Sequence, residues 1–174
     1  MAEFQGTATG AGRRIAIVAS RFNEEVTERL LDGAVECLVR HGTRFEDIDV
    51  VRVPGAWELP AAAQHLLAHG RYDALVAVGA VIRGETPHFD YVAGEAARGL
   101  GHLQREYQTP IGFGLLTTDT DAQAEARAGG AHGNKGWDAA LAALEMADVF
   151  ARLDSGVRES DGSDDDAEGS DAAD

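Results

Sequence analysis

Lysine and cysteine are almost missing from this chain: among 174 residues there is one of each, Lys135 and Cys37. A single cysteine excludes an internal disulfide framework and a cysteine-rich zinc site. Cys37 lies inside a helical pattern and is expected to be a small core residue. Long apolar runs are missing too, as is a charged opening followed by an apolar stretch. A soluble, cytoplasmic protein with no membrane partner is therefore expected. Positive charge is scarce, with 15 basic residues against 30 acidic ones and a net charge of −15. That balance repels nucleic acid and anionic lipid alike, so neither is expected as a partner.

Familiar cofactor motifs are also absent. No Gly-x-Gly-x-x-Gly follows a strand-like run, so dinucleotide binding has little support. Residues 129–136 imitate a P-loop, but Lys135 is preceded by Asn134 and followed by Gly136, where that motif needs Gly and then Ser or Thr. His65 and His69 are spaced i, i+4 without a third ligand in view, which gives no metal site. Lys135, as the only lysine, is either a solvated charge or a cation needed at a polar site.

What is present divides the chain into three parts. Residues 155–174 carry eight acids, one arginine and few apolar side chains, and are expected to be a disordered acidic tail. Subtracting the tail's −7 from −15 leaves −8 on residues 1–154. This excess resembles that of proteins from salt-loving organisms, whose surface carboxylates hold water. Residues 1–13, rich in Gly, Ala and Thr, are expected to be a flexible arm or an edge strand. Between them, residues 14–154 form one domain.

Within that domain apolar runs at 15–19, 50–53, 74–82 and 111–117 alternate with helical spacing. The runs do not alternate strictly, which suits strands covered on both faces. Val26, Leu30, Ala34 and Leu38 make one helical stripe, and Leu141, Leu144 and Ala147 another. Helical segments are expected at 59–69 and 89–107, with a final pair of helices split at Gly129, Gly130 and Gly133. Repeated strand and helix predict an α/β fold, a three-layer αβα sandwich around a four-stranded parallel sheet. Ligands of such sheets bind beyond the carboxyl ends of the strands.

Those ends carry the candidate site. After the first strand comes Ser20-Arg21-Phe22-Asn23, after the second Pro54-Gly55-Ala56-Trp57-Glu58. Phe22 and Trp57 are either core packing or flat walls for a heteroaromatic ring. Glu58 is either an acceptor for sugar hydroxyls or a first-turn glutamate favoured by the helix dipole. The third strand runs into Arg83-Gly84-Glu85-Thr86-Pro87-His88. There a glycine, a hydroxyl and a helix N-terminus suit a phosphate, and a histidine can move a proton near neutral pH. The bland alternative is a helix start at Thr86-Pro87 with His88 on the surface.

Taken together, ASRFNEEVTERLLDGA, VPGAWELP, VGAVIRGETPHFDYV, FGLLTTDT and GNKGWDAALAALEMA resemble the lumazine synthase family over nearly all of residues 14–150. The resemblance implies a flavodoxin-like subunit, a homo-pentamer with sites between neighbours, and condensation of 5-amino-6-(D-ribitylamino)uracil with 3,4-dihydroxy-2-butanone 4-phosphate. The amine attacks the ketone, water and phosphate leave, and ring closure with loss of a second water gives 6,7-dimethyl-8-ribityllumazine. No cofactor is expected for that chemistry. By the same resemblance Phe22 stacks on the pyrimidine, Ala56, Trp57 and Glu58 border it, and Ala80, Val81 and Ile82 complete the pocket. Glu85 and Thr86 place the keto-phosphate, Arg127 meets its phosphate, and His88 carries protons. Phe113 and Arg127 should come from the adjacent subunit.

Some family members carry a small residue where Glu85 stands; the change is tolerable if this segment contacts the substrate through backbone N–H, and a glutamate near a phosphate requires its side chain to point away. Residues 129–134 resemble the short glycine-rich kink of members that assemble into a sixty-subunit icosahedral shell, apart from Ala131, where a lysine is common. Riboflavin synthase is a further partner compatible with the family. Two rival readings are an archaeal-type riboflavin synthase and a flavin-binding or cage protein without turnover. The intact GETPHFDYV segment and Arg127 count against the first, and His88 against the second.

Overall fold

Each apolar run is a strand, and the strands pair in parallel. The computed structural model describes residues 3–161, with side-chain surroundings as far as residue 156. Strand β1 (Ile15–Ser20) lies beside β2 (Ile48–Val53) on one side and β3 (Ala74–Ile82) on the other, and β4 (Ile111–Thr118) closes the order β2-β1-β3-β4. Helices α1 (Glu24–Arg40), α2 (Leu59–His69), α3 (His88–Glu106), α4 (Asp121–Arg127) and α5 (Lys135–Asp161) connect and cover the sheet. A short antiparallel hairpin of β5 (Ala128–Gly130) and β6 (Gly133–Asn134) separates the last two helices at the expected glycines. Gly129 and Gly133 have φ of 95° and 72°, which a side chain would strain.

Side chains alternate across the sheet, and two cores result. Ile15, Ile17 and Ala19 of β1, with Val76, Val78 and Ala80 of β3, pack under the stripe Val26, Leu30, Ala34 and Leu38 of α1 and under Leu144 and Ala147 of α5. Ala16, Val18, Leu75 and Ala77 face the other way, against Leu59 and Ala63 of α2 and Ala96, Leu100 and Leu103 of α3. The chain is thus a flavodoxin-like αβα sandwich. Truncating a fully buried residue such as Leu30 to alanine should cost roughly 2–5 kcal/mol. Cys37 is buried in the first core, where burial pushes its thiol up to about 11.

One expectation is corrected. Coverage on both faces holds for the central strands β1 and β3, whereas the outer strands leave Val50 and Phe113 exposed. Helix α5 continues to Asp161, seven residues beyond 154; residues 162–174 of the expected disordered tail lie outside the described residues. Acidic residues do not forbid a helix that is already nucleated and packed upstream. The arm forms no strand; in it Gly10 donates to the His41 carbonyl at 2.7 Å, and the Thr7 N–H donates to Asp148 of α5 at 2.8 Å.

Asp148 is the anchor of that strap. Its carboxylate accepts from the Thr7 backbone N–H at 2.8 Å, the Thr7 hydroxyl at 3.1 Å and the Arg152 Nε at 2.8 Å, with the Arg13 guanidinium at 3.4 Å. The hydrogen bond from Arg152, then that from the Thr7 backbone, lowers its pKa from 3.8 to about 2. A depressed carboxylate stabilises the fold above its unfolded pKa and ceases to as pH falls through the folded value. The melting temperature of the wild type should therefore fall more steeply than that of Asp148→Asn between about pH 4 and about pH 2. At pH 7 the variant should melt several degrees lower and release residues 3–13 to proteases. Parallel melting curves through that acid range would remove the strap from the stability of the fold.

Candidate active site

Parallel pairing brings the carboxyl ends of β1, β3 and β4 to one edge, with Ala19 opposite Val78 and Ile82 opposite Thr118. The β1 end is pinned to the β2 end by backbone bonds, Arg21 N–H to the Val53 carbonyl at 2.8 Å and Phe22 N–H to the Pro54 carbonyl at 3.1 Å. Asn23 turns the chain into α1 in a left-handed conformation, φ 59°, and its Nδ2 donates to the Ala80 carbonyl at 2.9 Å. A bend that a non-glycine residue rarely adopts is thus tied to the wall of the cavity beside it.

That cavity encloses about 430 Å³. Its walls are Phe22, Pro54 to Glu58, Ala80 to Ile82, Gly84, Thr86, His88, Phe89 and Val92. Phe22 is 70% and Trp57 56% exposed, so core packing explains neither ring. Glu58 receives the Gly55 backbone N–H at 3.0 Å, a local capping bond that leaves its other carboxylate oxygen for a ligand. Helix α3 begins at His88 directly after Pro87, so Thr86 is not its cap, and no side chain caps that terminus. The Asp90 N–H turns back to the Pro87 carbonyl at 3.0 Å, and the first-turn N–H groups before it, those of His88 and Phe89, favour an anion. Arg83 gathers the surrounding loops: its Nε donates to Asp119 at 2.8 Å, its NH1 lies 3.4 Å from Asp90, and its guanidinium sits 4.2 Å from the Phe89 ring. The Asp119 hydrogen bond raises its pKa further.

Of the expected residues, Phe22, Ala56, Trp57, Glu58, Ala80, Val81, Ile82, Thr86 and His88 line one cavity. Glu85 is exposed and does not line it. Phe113 and Arg127 lie elsewhere, in a second concavity of about 470 Å³ along β4, with Thr118, Lys135, Asp138, Ala139 and Ala142. Arg127 is braced by the Gln123 carbonyl at 3.0 Å, and Lys135 by Asp138 at 2.7 Å. Lys135 therefore stands with Arg127 as a second cation in one concavity. Its sequence signal was only its solitude. His65 and His69 stack with ring centroids 4.3 Å apart and line neither concavity. Among the described residues no group of three or more His, Cys, Asp and Glu could hold a metal, and no helix is long and apolar enough to cross a membrane.

Residues 12–151 match the family described as 6,7-dimethyl-8-ribityllumazine synthase. The chain is 65% identical over 152 residues to a protein of that name from Gemmatimonas aurantiaca, covering 87% of this chain and 93% of the relative. It is 54% identical over 150 residues to one from Aquifex aeolicus, covering 86% and 97%.

The exposed ring of Phe22 separates binding from stability. Phe22→Ala should change unfolding free energy by no more than about 0.5 kcal/mol, as expected of an exposed side chain. Losing an aromatic face should weaken binding of a flat heteroaromatic ligand by roughly fivefold to tenfold. Calorimetric titration and thermal melting of the same preparation check both, and a large loss of stability with unchanged binding would return Phe22 to the core.

Proposed function

Since this chain belongs to the 6,7-dimethyl-8-ribityllumazine synthase family, and is a transferase of riboflavin biosynthesis, we propose how its two concavities divide that work. The observation that carries the reading is the clustering of Phe22, Trp57, Glu58, Thr86 and His88 in a single cavity. The first concavity takes both substrates. Phe22 and Trp57 flank the pyrimidine of 5-amino-6-(D-ribitylamino)uracil, Ala56 and Ala80 to Ile82 line its pocket, and Glu58 accepts from ribityl hydroxyls. The keto-phosphate, 3,4-dihydroxy-2-butanone 4-phosphate, lies at Glu85 and Thr86 by the α3 N-terminus. The exposed Glu85 side chain supports contact through the backbone there.

His88, in the first turn of α3, carries protons as the amine adds to the ketone and as water and phosphate depart. Arg127 faces the departing phosphate, since a guanidinium matches phosphate oxygens in pairs. Phe113 and Arg127 occupy a separate concavity within one chain, so the complete site joins the first concavity of one subunit to the second of its neighbour in a homo-pentamer. Holding both substrates in register supplies most of the acceleration, with proton transfer contributing about two to four orders of magnitude. An archaeal-type riboflavin synthase and a binding protein without turnover are not favoured, as the named relatives are lumazine synthases.

The direct test mixes both substrates with the protein and follows lumazine absorbance; no product would refute the assignment. His88→Ala should lower kcat by about two orders of magnitude, with keto-phosphate binding mostly kept. Arg127→Ala should raise the KM for the keto-phosphate far more than that for the uracil. A near-wild-type rate in the first, or equal effects on both KM values in the second, would remove those roles.

Assembly follows from the hairpin and the charge. The short glycine-rich turn at 129–134 supports a sixty-subunit shell built from pentamers, and riboflavin synthase is a candidate guest of such a shell. A net charge of −15 per chain opposes close packing, and salt-loving growth would relieve it. Screening shortens that repulsion to about 3 Å at molar salt. Shells are therefore expected at molar salt and pentamers at low salt, by light scattering across a salt series. Pentamers alone at molar salt would refute the shell.

A further inference from the structure

Asn134 ends the β5–β6 hairpin and directly precedes α5, and its side chain works in two directions. Oδ1 accepts from the backbone N–H of Gly136 at 2.9 Å and of Trp137 at 3.2 Å, which caps α5. Nδ2 donates to the Arg29 carbonyl of α1 at 2.7 Å, across 105 residues of sequence. The helices are close enough for one amide to bridge them. A Cβ on Gly33 would overlap that amide, and one on Gly136 would overlap the Leu30 carbonyl.

Backbone pairing joins Asn134 to Ala128. Arg127 immediately precedes Ala128 and Lys135 immediately follows Asn134, and both cations line the second concavity. Helix α1, to which the amide is tied, begins just after Phe22 of the first concavity. One side chain therefore links the strand pair that spaces the two cations to the helix packed beside it in the same chain.

We propose that Asn134 is a positioning residue for phosphate recognition, bridging α1 and α5 so that Arg127 and Lys135 stand at a fixed separation. This rests on the reading of the second concavity as the phosphate end of the reaction. Two cations held in place bind an anion without first losing their own freedom, whereas a loosened hairpin makes the ligand order them. The positioning role predicts a selective loss of phosphate affinity, and a helix cap alone does not.

The two roles of the amide can be separated. Asn134→Ser keeps a neutral capping oxygen for α5 but lacks the donor that reaches Arg29, and Asn134→Ala loses both. Steady-state kinetics with each substrate, inhibition by inorganic phosphate and thermal melting are compared in both variants. The keto-phosphate KM and the inhibition constant of inorganic phosphate should rise together by about tenfold, with the uracil KM within about twofold. Asn134→Ser should show this while melting close to the wild type, so the test survives if Asn134→Ala fails to fold. Unchanged phosphate constants in the folded serine variant would overturn the proposal, as would an equal rise in both KM values. Calorimetric titration with inorganic phosphate reads the same placement should the wild type form no lumazine, so failure of the reaction and failure of Asn134 are told apart.

Discussion

The parallel register of β1, β3 and β4 is the constraint on which the rest of the molecule depends. Because Ala19 pairs with Val78 and Ile82 with Thr118, every strand delivers its following loop to the same edge. Phe22 follows β1, Trp57 follows β2, whose Val53 pairs in parallel with Ser20 of β1, and His88 opens the helix after β3, so the three meet at that edge. A slip of one residue in β1 would exchange Ile15, Ile17 and Ala19 with Ala16 and Val18 between the two cores. Such a slip would bury large residues where small ones fit, so the packing that stabilises the fold also aims the site.

The electrostatics run against the overall charge. A chain of −15 nevertheless places Arg127 and Lys135 in one concavity and leaves an uncapped helix N-terminus by Thr86. Surrounding carboxylates are spent locally: Asp119 and Asp90 on Arg83, and Asp138 on Lys135. Partly exposed pairs of this kind contribute little stability each. Their effect is geometric, fixing loops around the region proposed to receive an anion.

Much of this was legible in the sequence because burial has a period. The run 74–82 and the segment 59–69 became β3 and α2 with the same bounds, since apolar repeats and the Gly70 that follows α2 are local signals. Phe22 and Trp57 could be named as wall or core, but only their exposure separates the two. The contact of the arm with Asp148, 141 residues away from Thr7, is not legible in the sequence, since no local pattern records such a bond. Asn134 was invisible for the same reason: it read as one position of a failed P-loop, and its partner carbonyl lies on α1. The acids of 155–161 read as tail in the sequence, while α5, already nucleated upstream, runs on to Asp161 at little cost.

The central claim is that each site is shared, with His88 from one subunit and Arg127 from the next. Complementation between two inactive variants measures this most directly. His88→Ala and Arg127→Ala chains, each purified, are unfolded together in equal amounts, co-assembled and assayed for lumazine formation. A shared site predicts that about one quarter of sites regain both residues, so activity returns well above that of either variant alone. Activity no greater than the average of the two separate variants, in a particle shown to contain both chains, would place His88 and Arg127 in the same subunit's site and contradict the claim.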